Sequence, residues 1–101
     1  MKKLKLTTEA INQLFFYLND CTPERLQVQS RIFLELLKEN IAAMQKHLQL
    51  KTLELMHKGK VLISVRFNRS ELLTLSYLFA AIPCNSYLKS VEYQLLRGLY
   101  V

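Results

Sequence analysis

The chain has 101 residues, half of them hydrophobic and 22% charged, which is the balance of one globular domain with a single modest core and excludes intrinsic disorder. Two Gly and two Pro leave little material for turns, so a few long elements, mainly helices, are expected. The formal net charge of +6 favours an anionic partner such as nucleic acid or an acidic protein surface.

In chain order, Lys3, Leu4, Lys5, Leu6 and Thr7 alternate polar and apolar and predict a short strand. The segment before Ile11 turns polar at once and lacks the apolar centre of a secretory signal, so a cytoplasmic protein is expected. Thr7 or Thr8 is placed to cap a helix whose apolar positions Ile11, Leu14, Phe15 and Leu18 fall at three- and four-residue steps. That helix stops near Asn19 and Asp20, and Thr22, Pro23 and Glu24 restart one, because Pro fits the first helical position and an acid there meets the positive end of the dipole.

After Pro23 there is neither Gly nor Pro as far as Lys58. A single helix over this stretch would be about 50 Å long at 1.5 Å per residue. It either projects and pairs with a second copy or bends near Leu48 to Thr52, and Leu37, Ile41, Met44, Leu48 and Leu55 are the stripe expected to form a homodimer interface. Gly59 follows as a C-terminal cap. Val61, Ile63, Val65 and Phe67 then alternate with Leu62, Ser64, Arg66 and Asn68, the two-residue period of a half-buried strand. Asn68 or Ser70 caps a helix carrying Leu72, Leu75, Phe79 and Ile82, and after Pro83 a last helix, capped by Asn85 or Ser86, shows Leu88, Val91, Leu95 and Leu99 on one face. The apolar run from Leu72 to Pro83 is far shorter than the roughly 20 residues a membrane span requires.

The two ends of the chain share an order of strand, cap, helix, Cys, cap and helix, a weak internal repeat over residues 2–45 and 60–101 of a single 1–101 domain. It supplies each strand with a partner. Lys3 to Thr7 can lie antiparallel to Val61 to Asn68 over Leu4, Leu6, Val65 and Phe67, within one chain or across a dimer. The expected fold is therefore α+β and mainly helical, with a two-stranded antiparallel ribbon, about four helices and one long central helix.

The stretch ISVRFNRSELLTLSYLFAAIPCNSYLKSVEYQLL, with its flanks over about residues 61–101, resembles the ribbon-helix-helix family of DNA-binding proteins. In that family an antiparallel ribbon enters the major groove and its outward residues touch base edges. The resemblance implies Ser64, Arg66 and Asn68 as contact residues, Lys3 and Lys5 on the other strand, and a phosphate anchored on backbone N–H groups around Asn85 to Tyr87.

Other constellations point to little chemistry. Glu54 and His57 form half of a Glu-x-x-His metal unit whose other half is missing, and His47 stands elsewhere around the helix, so no metal or other cofactor is expected. Cys21 and Cys84 fit reduced, buried thiols, and with no paired base or phosphate loop an enzyme is not expected. The aromatic residues fall mostly at core spacing, while Lys46, His47, Lys51, Lys58 and Lys60 form either an anion-facing stripe or a solvated helix face. Two functions remain: a small DNA-binding or regulatory protein using the ribbon, or a non-catalytic helical interaction or assembly module that binds no nucleic acid.

Overall fold

The computed structural model describes residues 2–58 and 62–100, and for residues 2, 54–58, 62, 96 and 98–100 the backbone alone. Gly59, Lys60 and Val61, expected as helix cap, basic residue and strand opening, lie outside the described residues, as do the side chains of Glu54, Leu55, His57, Lys58 and Leu99. The elements run β1 (Lys2–Thr7), α1 (Thr8–Asp20), α2 (Pro23–Leu26), α3 (Arg31–Lys58), β2 (Leu62–Phe67), α4 (Arg69–Ala81), a 3-10 turn (Ser86–Leu88) and α5 (Lys89–Tyr100). The fold is α+β and mainly helical, as the periodicities predict.

The two strands pair antiparallel within one chain, from Lys2 opposite Phe67 to Thr7 opposite Leu62. Leu4, Leu6, Ile63, Val65 and Phe67 point inward and are buried. Each fully buried large apolar side chain contributes about 1.5–3 kcal/mol relative to exposure. The ribbon closes one side of a helical core, with β2 beside α3 and β1 beside α5 and α1.

Both strands lead into capped helices. The Thr7 hydroxyl accepts from the Ala10 N–H at 3.1 Å. At Asn68 the cap is reciprocal: its Oδ1 accepts from Glu71 N–H at 2.8 Å while Glu71 Oε1 accepts from Asn68 N–H at 2.9 Å, so two donors left open by the helix start are satisfied at once. Asn85 caps the 3-10 turn that leads into α5. The strand, cap and helix order at the two ends is therefore realised in both.

The long central helix begins later than the absence of Gly and Pro implies. After one turn at Pro23–Leu26, Gln27 adopts a left-handed conformation at φ 53°, and its N–H donates to Pro23 O. Ser30 then caps α3, its hydroxyl accepting from Phe33 N–H at 3.3 Å. At Leu48 to Thr52, where a bend is considered, α3 continues without a break, and the Thr52 hydroxyl donates to Leu48 O at 2.9 Å. At 28 residues the helix is about 42 Å long, close to the molecule's longest dimension of 43 Å.

The stripe read as a dimer seam is covered by the chain itself. Leu37, Ile41, Met44 and Leu48 are all buried in the core formed with α1 and α4. For these four residues, packing within the chain takes the place of packing against a second copy.

Tyr17 is buried too, and its hydroxyl donates toward Ile82 O and Leu78 O at 2.6 and 2.7 Å, tying α1 to the end of α4. Burial pushes its ionisation well above the ordinary tyrosine range and pushes the neighbouring Cys21 thiol up to about 11. Cys84 is also raised, by burial and by its bond to the Glu92 carboxylate at 3.1 Å.

Candidate nucleic-acid interface

Successive strand residues point to opposite faces, so the register that buries the apolar set fixes what the outer face carries. Lys3 stands directly opposite Arg66 and Lys5 opposite Ser64, all four exposed. Four of the five side chains expected to contact nucleic acid are thus brought together on one surface. Neither strand contains an acid, and among the described residues no carboxylate forms an ion pair with Lys3, Lys5 or Arg66. Like charges directly opposite on a ribbon are destabilising, so the Lys3 and Arg66 pair weakens the isolated fold.

Asn68, the fifth, is exposed at the end of β2, and its side-chain oxygen accepts from Glu71 N–H in the helix cap. Of the backbone N–H groups around Asn85 to Tyr87, that of Tyr87 is used within the chain, donating to Asn85 Oδ1 at 3.0 Å, while Asn85 Nδ2 donates to Gln13 at 2.8 Å.

Beside β2 the outer face runs into a groove of about 730 Å³ against α3, lined by Lys3, His47, Leu50, Lys51, Ser64, Val65 and Arg66. The basic stripe of α3 is therefore split. His47 and Lys51 line the groove, while Lys46 lines a separate, mainly apolar cavity of about 590 Å³ with Phe15, Leu50 and Leu53. His47 Nε2 lies 3.6 Å from Oε2 of Glu71, a buried oxygen that accepts no hydrogen bond.

On the other flank the structure reveals a residue that periodicity did not single out. The Gln94 side-chain amide bonds both Lys5 N–H and Lys5 C=O, at 2.9 and 3.0 Å. It occupies the open edge of β1 as a neighbouring strand would. No signal in the sequence marks it, because the two positions are 89 residues apart.

No family model, curated protein or solved structure matches the chain. Its function is read from its own geometry. Among the described residues there is no group of three or more His, Cys, Asp and Glu side chains that could hold a metal ion, and no helix long and apolar enough to cross a membrane.

Proposed function

We propose that this chain is a cytoplasmic, non-catalytic DNA-binding protein that presents the outer face of its ribbon to the major groove. The observation that carries the reading is the register, which sets Lys3 against Arg66 and Lys5 against Ser64 on an exposed surface without acids. Two strands about 4.8 Å apart fit a groove about 12 Å wide. Arg66 is suited to a forked contact with guanine, the lysines to guanine or phosphate, and Ser64 to either kind of base edge. The resemblance to ribbon-helix-helix proteins supports the same docking mode, here with both strands drawn from one chain.

The test is fluorescence anisotropy with mixed-sequence duplex DNA at two salt concentrations. Affinity is expected to fall steeply with salt, and Arg66→Ala to cost about 1–3 kcal/mol and lower the salt slope by about 1. Binding that ignores both Arg66→Ala and Lys5→Ala would remove the ribbon as the contact surface.

A second reading, self-association, is favoured by a different observation. Ile32, Leu36 and Leu73 are exposed apolar residues, 85%, 46% and 49% accessible, beside the seam where Phe33 and Tyr77 stack edge to face at 5.2 Å. Buried against a second copy, this face would give a homodimer in place of the covered Leu37 to Leu48 stripe. Light scattering on the wild type and on Leu36→Asp decides it, since a monomer in both ends this reading.

A further inference from the structure

The groove beside β2 has two walls. Lys3 and Arg66 of the ribbon form one, and His47 and Lys51, one helical turn apart on α3, form the other. Its floor includes Leu50 and Val65, the latter fully buried, and among the described residues no acid lines it. A cleft with cations on both walls and an apolar floor concentrates positive potential more than the same charges spread over a convex surface. Glu71 Oε2 lies 3.6 Å from His47 Nε2, but the side chain is only 3% exposed and does not line the groove.

The opposite flank of the ribbon is chemically different. There β1 meets α5 through the neutral amide of Gln94. On the β2 flank the cationic ribbon face continues into His47 and Lys51. When a ribbon lies in a major groove, the two sugar–phosphate backbones run along its flanks, and on the β2 side the backbone passes over this groove.

We infer that the groove between β2 and α3 is a phosphate-binding site that takes a backbone phosphate of the DNA strand flanking the ribbon, with Arg66 and Lys51 supplying charge and His47 a ring N–H donor. This rests on the ribbon reading. It makes α3 a one-sided clamp. The protein's footprint on DNA then extends beyond the ribbon toward α3, and such contacts position the ribbon without carrying sequence information.

The test is anisotropy over a salt series, using the full chain and a mixed-sequence duplex of about two helical turns. Lys51→Gln removes a cation of the groove and Lys5→Gln a cation of the ribbon. Loss of one phosphate contact lowers the slope of log K against log salt by about 0.9, which is about eightfold in affinity near 0.1 M salt. That loss is expected for Lys51→Gln, with recovery in Lys51→Arg, and circular dichroism confirms that each variant folds. If Lys5→Gln weakens binding and Lys51→Gln changes neither affinity nor slope, the clamp is overturned and the ribbon reading stands. If neither variant has an effect, the ribbon reading fails with it. If millimolar inorganic phosphate at constant ionic strength displaces DNA from the wild type but not from Lys51→Gln, the groove serves a free phosphate ligand, and its assignment to the DNA backbone is overturned.

Discussion

Asn68 separates a structural role from a reading role more sharply than any other residue, and Asn68→Ala is the informative change. The substitution deletes the acceptor that Glu71 N–H uses at 2.8 Å. It also loosens a carboxyl group that is buried and already has one oxygen without a hydrogen bond. Replacing an N-cap by Ala costs about 0.5–2 kcal/mol. The upper part of that range, about 1.5 kcal/mol, is expected here, because the strand-to-helix junction is held by both halves of the capping box. For a domain of this size the corresponding fall in Tm is about 6–12 °C. Urea or thermal unfolding followed by circular dichroism measures it, with Asn68→Ser expected to recover most of the loss because Ser is also a good cap. Duplex affinity, measured well below the transition, should stay within about twofold. An unchanged Tm with a tenfold or greater loss of affinity would refute the reasoning and make Asn68 a base reader.

Met44→Asp introduces an unpaired charge into a fully buried site and should abolish the folded state rather than dissociate an oligomer, visible as loss of helical circular dichroism; a folded monomer obtained from a wild-type dimer would restore the Leu37 to Leu48 stripe as a seam. Gln94→Ala should speed hydrogen exchange at the Lys5 amide, which donates to Gln94 at 2.9 Å, while leaving exchange at the buried core of α3 unchanged. Alkaline pH should destabilise the protein: Tyr17 and Cys21 hold their protons more tightly folded than unfolded, so their contribution is complete below about pH 9 and declines as pH rises through about 11, the value for Cys21. Urea midpoints at neutral and alkaline pH check this, and Tyr17→Phe should flatten the decline.

The ribbon was legible in the sequence because its information is local. Alternation fixes which residues of β1 and β2 share a face, and the capping pair Asn68 and Glu71 announces where the strand ends. The outer face of Lys3, Lys5, Ser64 and Arg66 follows directly from that alternation. The start of α3 was hidden because Gln27, unlike Gly, gives no sign of a left-handed turn, and the available signal was Ser30 as a cap two residues before an apolar pair. Periodicity also showed which side of α3 is apolar without showing what covers it. Leu37, Ile41, Met44 and Leu48 are equally suited to a partner helix from a second copy or from the same chain, and only the placement of α1 and α4 decides. Gln94 on Lys5 and Glu71 behind His47 depend entirely on tertiary packing.

The central claim, that the ribbon's outer face meets DNA, is tested most directly by amide chemical-shift mapping of the isotope-labelled chain during titration with a mixed-sequence duplex. The account predicts the largest shifts at Lys3, Lys5, Ser64 and Arg66, with further shifts at His47 and Lys51 and none at Ile32 and Leu36. Shifts confined to the Ile32 and Leu36 face, or no shifts at low salt, would contradict it.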